Sequence, residues 1–175
     1  MDRHGAKAPR FLGPHRTVAA DPDGAREHLE ALVGLLGEER DLLERLVHKL
    51  AAAAMLIEAG EDEFVARAVD EVVETEDDVG ALELARAMLV ADICDLLGFA
   101  GEVTLTQLAR HVPEGLEEAF ERRRVELGAR LADIDRYRAR ARRAAEERLE
   151  RVAQGIEGLE RLEGGYEART RGRIR

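Results

Sequence analysis

The sequence has little of what most membrane proteins, secreted proteins and sheet proteins contain. It has no tryptophan, one cysteine and 3% aromatic residues, whereas charged residues reach 37%. That composition is typical of helical bundles and coiled coils. No apolar run approaches the ~20 residues that cross a bilayer, and the first residues lack the apolar segment of a signal peptide. We therefore expect a cytoplasmic protein that does not insert into membranes.

Signatures of catalysis and metal binding are also missing. None of His28, His48 and His111 follows a glutamate by three residues, and there is no His-Glu-x-x-His motif. The single cysteine, Cys94, lies between Ile93 and Leu97, where an inert core thiol is expected. We expect a protein that is not an enzyme, with no catalytic residue, no metal site and no cofactor.

Large aliphatic residues recur every seven positions in the first half of the chain. The first row contains Leu29, Leu36, Leu43, Leu50 and Ile57, and Leu32, Leu46 and Ala53 fill the alternate positions. Such spacing places the row on one seam of a helix. Glu39 interrupts this seam once. The pattern predicts a helix that starts near Pro22 and ends at Glu58, before Gly60.

A second long helix and a short connecting helix are predicted next. After Asp62, Val65, Val72, Val79 and Ile93 form one row, interrupted by Arg86, and Ala68, Thr75, Leu82, Leu89 and Leu96 form another. Gly98 and Gly101 end this helix. Thr104 and Gln107 fit a capping box that opens a short helix to about His111, and Pro113 closes it.

The third long helix contains no proline between Glu114 and Glu163. Its apolar stripe steps alternately by four and three residues, and two consecutive steps of four, through Ala145 to Leu149, form a stutter. The stutter predicts that the two halves of the stripe face different partners. At ~1.5 Å per residue this helix reaches ~75 Å and is expected to overhang the others at its C-terminal end, where Gly155 and Gly158 weaken the last turns.

The predicted fold is therefore all-α, an elongated antiparallel bundle or coiled coil of three long helices with one short connecting helix. Residues 1–21 show no helical or strand period and are expected to form a disordered N-terminal arm. Residues 22–163 form the helical domain. Gly164 and Gly165 are expected to end the third long helix and release a flexible basic tail, residues 164–175.

Charge is distributed unevenly around a formal net charge of −10. The third long helix carries a cluster of arginines: Arg136, Arg138, Arg140, Arg142 and Arg143. Such a cluster can bind phosphates, but the overall acidity favours a solvated or intramolecularly paired face. We expect no nucleic-acid partner.

Four segments of the chain stand out in this order: Leu36-Gly37-Glu38-Glu39-Arg40-Asp41-Leu42-Leu43-Glu44-Arg45-Leu46; Glu83-Leu84-Ala85-Arg86-Ala87 with Leu89-Val90 and Leu96-Leu97-Gly98; Thr104-Leu105 with Leu108-Ala109 and Pro113; and the helix from Leu116 through Arg124 and Leu127. Together these segments resemble the FlgN family of cytoplasmic flagellar export chaperones. The resemblance covers roughly residues 25–160. It departs from the family where members often carry an asparagine before an apolar pair, since this chain reads Ala144-Ala145-Glu146 and onward to Leu149.

The resemblance implies partners and a function. It implies that the chain binds the C-terminal helical segments of hook-associated, FlgK- or FlgL-like proteins, keeps them unassembled, and delivers them to the FlhA-like export gate. The client-binding residues are then expected on the stripe past the stutter: Leu149, Val152, Ile156, Leu159 and Leu162. Tyr166 is the candidate for docking on the export gate.

Two alternatives stay open at this point. The stripe past the stutter is as compatible with internal packing as with client contact. The whole chain is also compatible with a structural coiled-coil protein that self-associates through the same seams and has no secretion client, and a homo-oligomer is possible under either hypothesis.

Overall fold

The computed structural model describes residues 22–99, 101 and 103–172, and the side chains of Asp23 to Leu162 within them. Helix α1 spans Pro22–Ala59, α2 spans Asp62–Leu97, α3 spans Leu105–Leu108 and α4 spans Glu117–Gly172. A 3₁₀ turn, Ala109–His111, follows α3. No strand occurs in the described part of the chain, so the all-α prediction is confirmed. The predicted N-terminal arm, residues 1–21, lies outside the described residues.

The heptad seam of α1 forms the centre of the core. Leu29, Leu32 and Leu36 are fully buried, and Leu43, Leu46 and Leu50 are at most 6% exposed. The two rows of α2 bury Val72, Thr75, Val79 and Ile93 against the same core. Both seams predicted from the spacing are therefore confirmed. A seven-residue repeat keeps one face of each helix toward its partner, which is why these positions are buried.

A glycine in a left-handed conformation follows the C-terminal end of each helix of the α1–α2 hairpin. Gly60 has φ of +80° and joins α1 to α2 in a tight turn. Gly98, with φ of +72°, is the C-cap residue of α2. A residue with a Cβ is strained at such φ values, so glycine is the residue that ends a helix this way. Both ends lie where the sequence predicts them.

The connector between α2 and α4 has the predicted capping box. The backbone N–H of Gln107 donates to Thr104 Oγ1 at 3.2 Å, and the backbone N–H of Thr104 donates to Gln107 Oε1 at 2.9 Å. Leu108 is fully buried, so this short element seals the end of the core. A turn at Gly115, φ +92°, then leads into α4.

Cross-helix pairs fix the direction of the three long helices. Arg40 of α1 lies 4.0 Å from Glu126 of α4, and Glu58 pairs with Arg140 farther along both helices. Helices α1 and α4 therefore run in the same direction. Helix α2 runs against both, because the turn at Gly60 reverses the chain and Glu76 of α2 pairs with Arg138 of α4 at 2.6 Å. The order is up, down, up, with α1 packed against both α2 and α4.

Three details differ from the prediction. Helix α4 does not end at Glu163 but continues through Gly164 and Gly165 to Gly172. No proline follows Pro113, so nothing removes a backbone donor there, and two glycines at about 1 kcal/mol each weaken the helix without ending it. Leu131, which the alternating steps of four and three place on the apolar stripe of the third long helix after Leu127, is 49% exposed, whereas Ala144 beside the predicted Ala145 is buried.

Candidate functional site

The candidate site is the part of α4 that projects beyond the other helices, residues 149–172, which we call the extension. Among the described residues, the last ion pair between α4 and the α1–α2 hairpin is made by Arg148, whose guanidinium contacts the Asp62 carboxylate and lies 3.5 Å from the Gly60 carbonyl oxygen. Gly60 and Asp62 belong to the turn between α1 and α2, so the hairpin ends at this level. At about 1.5 Å per residue, the extension is about 36 Å long.

The five predicted client-binding residues form an exposed apolar stripe along the extension. The exposed fractions are 70% for Leu149, 52% for Val152, 53% for Ile156, 64% for Leu159 and 72% for Leu162. Steps of three and four residues place all five on one face of the helix. The described residues supply no partner that covers this face. Internal packing by the described part of the chain, one of the two alternatives for this stripe, is therefore excluded.

The stripe continues the core face of α4. Val152 follows buried Ile134 by eighteen residues, which is about five turns at about 3.6 residues per turn, so the two residues lie on the same side of the helix. The stutter therefore does not turn the stripe toward a different direction. The stripe is exposed because the hairpin that covers the earlier turns ends at Gly60.

Polar residues complete the amphipathic character of the extension. Glu150, Arg151, Gln154, Glu157 and Arg161 are exposed, and Arg161 lies 3.3 Å from Glu157 one turn away. An isolated helix gains only about 0.2–0.5 kcal/mol from such a pair. These charges therefore contribute little to the stability of the helix, and their main effect is to keep this face of the extension solvated. The extension thus presents one apolar face and one solvated face.

Two glycines flank the stripe. A Cβ added to Gly155 or Gly158 meets no atom within 4 Å, so neither glycine is required by a close contact in this chain. Glycines on a helix surface permit the backbone of a partner helix to approach closely, and they lower the intrinsic stability of the helix. Both properties suit a helix that packs against a partner.

The backbone of Tyr166, the candidate for docking on the export gate, is helical and belongs to the extension. Its side chain is outside the described part, and the role of Tyr166 stays a prediction.

Two arginines of the α4 cluster form ion pairs between the part of α4 that precedes the extension and the α1–α2 hairpin. Arg140 donates two hydrogen bonds, of 2.7 and 2.6 Å, to the Glu58 carboxylate. These bonds lower the pKa of Glu58 and raise that of Arg140. The intramolecular pairing expected for this cluster is present at Arg138 and Arg140. The sequence pattern does not predict which carboxylates they meet, because that depends on the register between α4 and the hairpin.

A second exposed apolar row, on α2, is absent from the sequence-based prediction. Val69, Val73, Leu84 and Met88 are between 44% and 64% exposed, and they lie off the buried seams. Their spacing of four, eleven and four residues is helical, and this spacing was the signal that could have identified the row. Near its C-terminal end the row meets a groove of about 670 Å³.

Features of a metal site, a membrane span or a reactive thiol are not found in the described residues. No group of three or more His, Cys, Asp or Glu side chains there could hold a metal ion. Within residues 22–99, 101 and 103–172, no helix has the length and apolar character that crossing a membrane requires. Cys94 is buried, and desolvation raises the pKa of its thiol, which disfavours the reactive thiolate.

Comparisons with known proteins complete the description of the site. No protein-family model, no curated protein and no solved structure matched the chain significantly.

Proposed function

We propose that the chain is a non-enzymatic cytoplasmic chaperone that binds an apolar amphipathic helix on the extension of α4. One observation carries this proposal: five aliphatic side chains, each more than half exposed, lie on one face of a helix that no described residue covers. Exposed apolar stripes of this kind mark interaction sites in soluble proteins.

The partner class follows from the shape and chemistry of the site. A single helix with one apolar face packs best against one or more helices that have a matching face. Complete burial of one aliphatic side chain contributes about 1.5–3 kcal/mol before the costs of association. Five such residues can therefore support a specific complex without any charged contact.

The resemblance to FlgN-type chaperones supports a flagellar client. The order of a long helix, a glycine turn, a second long helix, a short Thr-capped helix and a third long helix is present in the structure. We propose that the clients are hook-associated, FlgK- or FlgL-like proteins, whose C-terminal helical segments must stay unassembled before export. We further propose that the loaded chaperone docks on an FlhA-like export gate through the region of Tyr166.

The proposal is tested by charge substitution on the stripe. Leu149→Asp together with Ile156→Asp should lower the affinity for the C-terminal helical segment of the cognate hook-associated protein by at least about 100-fold, because each buried carboxylate costs several kcal/mol. The measurement is isothermal titration calorimetry. Helicity by circular dichroism should stay unchanged, because both side chains are exposed in the free protein.

A matched control lies on α2. Leu84 and Met88 are 64% and 63% exposed, comparable with the stripe, and Leu84→Asp with Met88→Asp should leave client affinity unchanged. Equal losses in both double variants would contradict a binding site on the extension. The self-association hypothesis predicts a stable homo-oligomer of the wild-type chain in size-exclusion chromatography, lost in the stripe variant, and no complex with the client segment.

A further inference from the structure

A groove lies at the C-terminal end of α2, on the far side of the molecule from the extension. Its volume is about 670 Å³, and it is lined by the second half of α2 and the segment that leads into α3. The apolar part of the lining is formed by Val90, Ala91, Cys94, Phe99, Val103 and Leu105. The edge of Phe99 packs against the ring of His111, with 4.7 Å between the ring centroids, which holds one wall in place.

The groove lies at the same end of the α1–α2 hairpin as Pro22, the first described residue. Lys49 of α1 donates a hydrogen bond to the carbonyl oxygen of Glu71, and Glu39 pairs with Arg86, so residues later in α2 lie beside residues earlier in α1. By this register the first turn of α1, which begins at Pro22, lies beside the last turns of α2. Residues 1–21, which precede Pro22, are therefore joined to the described structure at the same end of the α1–α2 hairpin as the groove.

Charge favours contact between these two parts. Residues 1–20 carry four Lys or Arg and one acid, Asp2. Helix α2 carries eleven Asp or Glu against two arginines. Asp95 lines the groove and is exposed, and Glu83 and Asp92 are exposed elsewhere on the second half of α2. Arg86, which also lines the groove, is already paired with Glu39. An acidic surface beside a basic segment of the same chain attracts it at a high effective concentration.

The basic segment also carries an apolar pair of suitable size. Phe11 and Leu12 stand between Arg10 and Arg16. Phe11 precedes Pro22 by eleven residues, a reach of up to about 36 Å at about 3.3 Å per extended residue. The groove-lining part of α2, Arg86 to Asp95, is about 14 Å long at about 1.5 Å per residue. The pair can reach the whole groove.

We propose that residues 7–16 of this chain dock into the groove, with Phe11 and Leu12 against Val90, Cys94 and Phe99, and with Arg10 and Arg16 beside the acids of α2. The site is an interaction surface that is separate from the extension and does not depend on the proposed chaperone function. Its occupant is a segment of the same chain.

The test uses a nitroxide spin label and the full chain labelled with ¹⁵N. The label is attached to Ala91→Cys in a Cys94→Ser background, since Ala91 is exposed and lines the groove. The backbone amides of residues 7–16 should lose most of their peak intensity, and the loss should disappear on reduction of the label. Phe11→Ser with Leu12→Ser should restore the intensity, and added salt should restore part of it.

The matched control places the same label at Ala66→Cys, which is also exposed on α2 but about 38 Å from Ala91 at about 1.5 Å per residue. Equal broadening from both positions, or none from Ala91→Cys, would overturn the proposal. Broadening in a mixture of ¹⁵N-labelled unmodified chain with unlabelled spin-labelled chain would assign the groove to a second copy and would also overturn it.

Discussion

The most unusual residue of the core is Glu39, which is 3% exposed and interrupts the leucine seam of α1. Its partner is Arg86, whose Nε lies 3.4 Å from Glu39 Oε2. Arg86 is the residue that interrupts the valine row of α2, so the two interruptions meet each other. Burial raises the pKa of Glu39, and the charge of Arg86 opposes that rise. In some helical proteins a buried charge pair of this kind specifies the register between two helices.

Removal of Arg86 should destabilise the protein in a pH-dependent way. Arg86→Leu leaves the Glu39 carboxylate buried without a cation, which costs about 3 kcal/mol at neutral pH. The pKa of Glu39 then rises further above its ordinary value of 4.5. Since the folded state binds this proton more tightly than the unfolded state, the deficit should grow as pH rises above 4.5 and shrink as pH falls. Urea denaturation at pH 5 and pH 7.5 measures the deficit.

Two further variants serve as controls for the urea denaturation of Arg86→Leu. Arg67→Leu, on the same helix, removes an arginine whose side chain is 85% exposed and should change stability little at either pH. Adding Glu39→Gln to Arg86→Leu should abolish the pH dependence. A deficit of the same size at both pH values would show that Arg86 acts through packing alone.

At the scale of the elements, one turn determines how the three long helices meet. Gly60 reverses the chain between α1 and α2 with φ of +80°, and its carbonyl oxygen and neighbouring Asp62 hold Arg148 of α4. A Cβ at Gly60 would lie 2.6 Å from Arg148 Nη1. One residue therefore serves both the hairpin and the docking of α4.

Alanine substitutions at Gly60, in the turn before α2, and at Gly80, within α2, should change the free energy of unfolding in opposite directions. Gly60→Ala should lower the free energy of unfolding by about 1–2 kcal/mol, because alanine is strained at positive φ and displaces Arg148. Gly80→Ala should raise it by about 1 kcal/mol, because Gly80 is helical and a Cβ there meets no atom within 4 Å. Thermal denaturation followed by circular dichroism measures both. Stabilisation by Gly60→Ala would contradict the role given to this turn.

Element by element, the periodic features were predictable from the sequence and the pairings were not. Heptad spacing predicts that Leu36 and Val79 are buried because spacing depends on one helix alone. The meeting of Glu39 with Arg86, or of Glu58 with Arg140, depends on the register between helices, which spacing does not contain. The groove beside Phe99 was missed for the same reason, since its walls come from separate elements. The overhang of the third long helix was predicted because this helix is longer than its partners, whereas the sequence left open whether its last stripe is packed or exposed.

At the scale of the whole molecule, the structure divides into a packed body and an unpacked extension. Ala144 is the last buried side chain in the described part of α4, and the α1–α2 turn ends at the level of Arg148. The groove at the end of α2 lies at the opposite end of the body. Two surfaces of different chemistry are thus separated by the length of the hairpin.

This division predicts the effect of truncation. Deletion of residues 149–175 should change the free energy of unfolding of the body by less than about 0.5 kcal/mol, because none of the side chains described there, Leu149 to Leu162, is buried. Client binding should be lost. Ile134→Ala in the full chain is the comparison, since Ile134 is 3% exposed and its truncation should cost about 3 kcal/mol. A destabilisation of similar size on deletion would show that the extension packs against the body.

The position of the stripe on a projecting helix also has a kinetic consequence. A buried pocket has to open before a ligand enters, whereas the stripe of the extension is accessible along its whole length before any partner arrives. Association should then proceed at about 10⁵–10⁷ M⁻¹s⁻¹, the ordinary range for docking without a conformational gate. Differences in affinity among partners would arise in the dissociation rate, so the residence time of each partner would distinguish one from another.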